Sequence, residues 1–144
     1  MINGGIYMTG HRPIARLTAA SALLCMSTAA IAQEAPESLK VYFDTGSASI
    51  GADQGETLDQ AARLFRDGNP IVMIVAGVAD TVGPPDFNLA LSVERAESVA
   101  RGLTDRGIPV GRLQVLGRGN SELEVDTAEE VAEPENRVAE ITWR

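Results

Sequence analysis

Apolar and polar residues change rhythm several times along the chain, and each change predicts an element. Leu39-Lys40-Val41-Tyr42-Phe43 alternates and is rich in strand formers, which predicts a first strand. Asp44 to Ser47 supplies the turn chemistry that ends it, and Ile50 to Asp53 leads into a helix. There Leu58, Ala61, Ala62, Leu64 and Phe65 recur at helical spacing, with Asp59, Arg63 and Arg66 between them. Gly68-Asn69-Pro70 is a helix stop. Ile71 to Ala76 is continuously apolar, which predicts a central strand covered on both faces, or one packed by helices with little solvent behind it.

After a turn marked by Gly83, Pro84 and Pro85, a second helix is expected from about Asp86 or Asn88 to Asp105. Its predicted core stripe is Leu89, Val93 (or Ser92), Ala96, Val99, Ala100 and Leu103. Gly107 and Pro109 end it. Arg112 to Leu116 alternates as a third strand, and Gly117 to Ser121 turns sharply. Glu122 to Glu135 holds seven acids and no base, and is expected as a solvated surface loop. Arg137 to Trp143 closes the chain as a last strand. The order βαβαββ predicts an α/β (α+β) two-layer sandwich, a small mixed β-sheet with both helices on one face.

The first 32 residues follow a different logic. His11, Arg12 and Arg16 precede an apolar run from Leu17 that ends Ala30-Ile31-Ala32, the pattern of a secretory signal peptide cleaved near Ala32. The run is short and alanine-rich for a membrane span of roughly 20 residues. Cys25 follows Leu24 rather than the small residue that lipoprotein cleavage needs, so no lipidation is expected. The expected organisation is a leader over 1–32, a flexible arm over 33–38 and one domain over 39–144, with no transmembrane span after cleavage.

Cleavage removes two of the twelve basic residues and none of the twenty acids, taking the net charge from −8 to −10. It also removes the only cysteine and the only histidine. Such an acidic balance argues against nucleic acid as a partner. Without His or Cys, neither a Ser-His or Cys-His nucleophile nor an ordinary zinc site can be assembled. No phosphate-binding glycine loop follows a strand. No enzyme, cofactor or metal is therefore expected.

One stretch invites a chemical reading: an acid, Asp80, at the exit of the central strand and a base, Arg95, about two turns into the second helix. From Val41 to Ile141 the chain resembles the OmpA-like peptidoglycan-associating domain. Val41-Tyr42-Phe43-Asp44 is similar to that family's opening strand, and Gly77-Val78-Ala79-Asp80 stands where the family usually reads Gly-His-Thr-Asp. Asn88-Leu89-Ala90-Leu91-Ser92-Val93-Glu94-Arg95-Ala96 is similar to its N-x-x-L-S-x-x-R-A helix signature. Arg106 to Pro109, Arg112-Leu113, Gly117-Arg118-Gly119 and Glu133 to Arg137 continue in register.

The resemblance implies non-catalytic binding of the diaminopimelate end of the peptidoglycan stem peptide, in the periplasm, at the cell wall or outer membrane. Asp80 would take the ligand's ammonium, and Arg95 its carboxylate through two parallel hydrogen bonds. Asp44, Asn88, Leu91 and Arg137 complete the implied ligand set. Outer-membrane or periplasmic proteins form a second class of partner. Val78, Ala79 and Arg118 depart from the family pattern, and Val138 falls where it usually has a second arginine. A second reading is therefore an OmpA-like fold that has lost wall binding and serves as a periplasmic protein-interaction module.

Overall fold

The computed structural model describes residues 37–144. The expected leader, its cleavage near Ala32, the absence of lipid at Cys25 and most of the arm over 33–38 lie outside the described residues. Six main elements follow: β1 Leu39–Tyr42, α1 Gly55–Gly68, β2 Met73–Gly77, α2 Pro85–Thr104, β3 Leu113–Gly117 and β4 Val138–Trp143. Short 3₁₀ turns precede α1, β3 and β4. The expected βαβαββ order holds.

The sheet runs β1-β4-β2-β3. The α2 crossover returns β3 parallel to β2, with Gly77 opposite Gly117. The last strand inserts between β1 and β2, antiparallel to both. Alternation then sorts the side chains. Leu39, Val41, Met73, Val75 and Ile141 face the helices and meet Leu58 and Ala61 of α1 and Ala96, Val99 and Leu103 of α2. Lys40 and Tyr42 alternate with Leu39 and Val41 and point the other way, less buried than their neighbours.

Three expectations need correcting. The central strand begins at Met73 rather than Ile71, and Ile71 is 80% exposed. The Ile71 and Val72 amides both donate to the Arg144 carbonyl, so they clamp the C-terminus instead of extending the ladder. The burial expected of β2 does hold: Met73, Val75, Ala76 and Gly77 are buried, with α1 and α2 packed on one side of it. On α2, the stripe follows the apolar pattern only in its later turns. Asn88, Leu91, Ser92 and Arg95 are buried in the first half, while Leu89 is 49% exposed. The polar residues can turn inward because main-chain partners await them there. Finally, Asn69 rather than Gly68 takes the left-handed conformation that ends α1.

Gly77 fixes how closely α2 approaches the sheet. A Cβ there would lie 1.8 Å from the Ser92 carbonyl oxygen, so the helix backbone rests directly on the strand.

Candidate functional site

Beyond β2 the chain continues extended for two residues without a partner strand of its own. The Val78 amide donates to the Val138 carbonyl and the Ala79 amide to the Gly119 carbonyl, both at 2.8 Å. Val78 and Ala79 are buried, small enough to sit between β4 and the loop after β3. They deliver Asp80 to the end of the sheet next to α2. Asp80 is 5% exposed. Its Oδ1 accepts from the Val82 amide at 3.4 Å, and its Oδ2 is buried without any hydrogen-bond partner.

Arg95 lies beneath, on the third turn of α2, with no exposure at all. Its Nε donates to the Ser47 carbonyl at 2.9 Å, Nη1 to the Val78 carbonyl at 2.9 Å and Nη2 to the Asp44 carbonyl at 3.1 Å. The Phe43 ring stacks against it, 5.3 Å from the guanidinium carbon. Burial lowers the Arg95 pKa to about 10; Asp80 opposes that shift and Arg137 adds to it. This corrects the expected geometry of the acid–base pair. The Arg95 fork is directed at three main-chain carbonyls rather than at solvent, and it ties the β1–α1 connection to the exit of β2.

Arg137, just before β4, is the cation that meets Asp80. Its Nη1 lies 3.5 Å from Asp80 Oδ2, and its Nε donates to the Phe43 carbonyl at 3.1 Å. Its side chain also forms one wall of a cavity of about 290 Å³, with Tyr42, Asp44, Gln54 and Glu135 among the other walls. Asp44 joins the Arg95 cluster only through its carbonyl; its side chain is exposed. Asn88 is fully buried; its Nδ2 donates to the Gly83 carbonyl at 3.2 Å, and its Oδ1 lacks a partner. It steadies the turn before α2 from within the helix, whose N-cap position is Pro84. Leu91 is buried and apolar, outside the main core cluster.

The structure therefore brings Asp80, Arg95 and Arg137 together, attaches Asp44 through its main chain, and sets Asn88 on the adjoining turn. Asn136 holds the acidic segment, bonding the Val125 amide and carbonyl at 2.9 and 2.8 Å. Ser92, fully buried, accepts from the Gly119 amide at 2.9 Å. Thr81 and Glu130 carry no periodic signal because their partners lie far away in sequence. Chemically, the cluster offers a desolvated Asp80 oxygen that makes no hydrogen bond, ion-paired at 3.5 Å with Arg137 and set above the Arg95 guanidinium. Such an acceptor suits a cationic N–H donor.

Comparison with known proteins places the fold. Residues 42–137 match the model of the OmpA family. A peptidoglycan-associated lipoprotein of Rhizobium meliloti is 35% identical over 80 residues, covering 56% of this chain and 46% of the relative. The chain spans about half the length of the first curated relatives it matches. The crystal structure of the peptidoglycan-associated lipoprotein from Burkholderia pseudomallei superposes with a TM-score of 0.68 at 26% identity, covering 74% of this chain and 90% of that one. The cell wall anchor of the T6SS from Pseudomonas aeruginosa gives a TM-score of 0.61 at 25% identity, covering 74% and 79%.

Proposed function

Because the chain belongs to the OmpA family, we propose that it is a non-catalytic peptidoglycan-binding domain of the periplasm that holds the diaminopimelate end of the stem peptide. The observation that carries this reading is the buried Asp80 Oδ2 with no hydrogen-bond partner. A ligand ammonium donates to that oxygen as the Arg137 guanidinium, 3.5 Å from it, swings aside. The ligand carboxylate, a few Å away on the same carbon, turns to the Arg137 guanidinium, whose Nη groups are not committed to main-chain carbonyls. Arg95 supplies positive field from below and holds the walls through Ser47, Asp44 and Val78. Asn88 steadies the Gly83 turn, and Leu91 is a buried apolar neighbour on the same helix. The leader over 1–32 accounts for export, and the wall-bound domain tethers whatever accompanies it.

Sedimentation of residues 33–144 with purified peptidoglycan tests the reading. Wild type is expected in the pellet, with free diaminopimelate competing it off, and Asp80→Ala in the supernatant. Equal pelleting of wild type and Asp80→Ala rejects the site. Failure of wild type itself to pellet assigns the domain to the second reading, a protein-interaction module, for which the exposed Phe87 and Leu89 on the first turns of α2 speak.

A further inference from the structure

Segment 127–131 lies within the acidic stretch that composition assigns to solvent, yet it is tied to the turn that follows Asp80. The Thr81 hydroxyl donates to the Ala128 carbonyl at 2.6 Å and accepts from the Val131 amide at 3.1 Å. The Thr81 carbonyl accepts from the Glu130 amide at 2.9 Å. Glu130 itself adopts φ +58, a left-handed conformation that a residue with a side chain enters only at a cost. In that conformation its carboxylate accepts the Gly83 amide through both oxygens, at 3.2 and 3.3 Å. Asn88 holds the same Gly83 from the other side, through its carbonyl. Turn 81–83 is thus gripped from α2 and from the acidic segment at once.

We propose that Glu130 is a positioning residue for Asp80, its clasp on Gly83 closing segment 127–131 over turn 81–83 and so fixing which carboxylate oxygen of Asp80 faces Arg137 without a hydrogen bond. The link runs through Val82. Its amide holds Asp80 Oδ1, and it lies between Thr81 and Gly83, the two residues the segment grips. While the turn is fixed, Oδ1 is held by the Val82 amide and Oδ2 is turned to Arg137 Nη1, 3.5 Å away, without a hydrogen bond. Once the clasp is released, the Val82 amide moves, Asp80 rotates, and the two oxygens exchange roles. The local strain at Glu130 is sustained by these bonds together, as expected where backbone geometry serves a site.

This inference rests on the proposed ligand role of Asp80, and the test keeps the two apart. Glu130→Gly removes the carboxylate and at the same time relieves the left-handed strain, so overall stability is expected to stay level. Glu130→Gln retains one acceptor oxygen without the charge. Amide hydrogen exchange at Val82 and Gly83 reads the clasp without any ligand, and titration with diaminopimelate reads its consequence. For Glu130→Gly we expect faster exchange at both amides and affinity weakened about threefold to tenfold, the worth of one hydrogen bond. Glu130→Gln is expected to recover part of both. Unchanged exchange in Glu130→Gly overturns the clasp. Faster exchange with unchanged affinity overturns the positioning role. A wild type that binds no diaminopimelate overturns the ligand reading and the positioning role with it, while the exchange data still decide whether the clasp exists.

Discussion

Replacing Arg95 by lysine is the sharpest test of how this domain is built. Arginine spans three carbonyls from two separate connections, Asp44 and Ser47 before α1 and Val78 after β2. A lysine ammonium reaches a similar distance from the helix but is compact, and it cannot face acceptors arranged around a planar fork. It keeps one of the three bonds. Hydrogen bonds to charged groups are worth about 1.5–3 kcal/mol each, so losing two, with partial relaxation, costs about 3 kcal/mol. Arg95 has no exposure and its bond to the Val78 carbonyl is buried, so solvent cannot rehydrate that carbonyl without opening the structure. For a domain of roughly 100 residues, that cost lowers the melting temperature by roughly 10–20 °C.

Thermal melts and urea titrations of residues 33–144 give the magnitude, and amide exchange over the Asp44–Ser47 connection locates it. The Ser47 amide, which donates to the Asp44 carbonyl at 3.1 Å, is the reporter. If Arg95→Lys melts within about 2 °C of wild type, the three bonds are not holding the connections together, and the account of Arg95 as a main-chain tie fails.

Asn136→Ala removes a two-way bond to Val125 and should cost about 2 kcal/mol in urea, with faster exchange at the Val125 amide. Gly77→Ala puts a Cβ into the rigid Ser92 carbonyl, so it should cost about 3 kcal/mol or more, visible as loss of the cooperative melt. The Lys40 pKa is held above its ordinary 10.5 chiefly by the hydrogen bond to Glu124, with burial opposing. A raised folded value means that this contribution is present below pH 10.5 and lost as pH rises through the folded value. The difference in urea midpoint between wild type and Lys40→Met should therefore be measurable at pH 7 and vanish at strongly alkaline pH.

Most of the fold was legible because, over β1, α1 and the centre of β2, the apolar rhythm and the buried face coincide. Leu39 and Val41 alternate inward, and Leu58, Ala61 and Ala62 form the buried face of α1, as their spacing predicts. Rhythm misleads where burial is decided by hydrogen bonds. On α2 it selects Leu89, which the fold leaves half exposed, and passes over Arg95, which the fold buries completely. A pattern of apolar residues cannot register that three carbonyls from distant connections converge at one point of the helix. Strand order was equally hidden, since nothing in the alternation of β4 says that it inserts between β1 and β2. The site was half legible. Asp80, Arg95 and Arg137 do meet, but the tie to Asp80 belongs to Arg137, and the Thr81 and Glu130 contacts join a strand exit to a segment whose composition suggested only solvent.

The separation of roles between the two arginines bears on how an acidic chain, net −8, could hold an anionic wall polymer. Had Arg95 met Asp80 through two parallel hydrogen bonds, each would have satisfied the other, and a ligand would have had to break that pair before binding. Instead Arg95 directs its donors at carbonyls that carry no net charge, so its positive field persists at the site, while Asp80 Oδ2 makes no hydrogen bond and faces only the looser 3.5 Å ion pair with Arg137. Arg137, at 3.5 Å from that oxygen and largely buried, adds a second positive charge on the side of the neighbouring cavity. Two guanidinium groups against one carboxylate make the cluster locally positive. Buried charges interact through a lower effective dielectric than the exposed acids of 122–135 do. Those acids are screened beyond roughly 8 Å at physiological salt. Within the buried cluster the nearest charges to a ligand carboxylate are Arg95 and Arg137, with Asp44, Asp53 and Glu135 on the cavity beside Arg137, and the charge of the whole chain affects chiefly its approach.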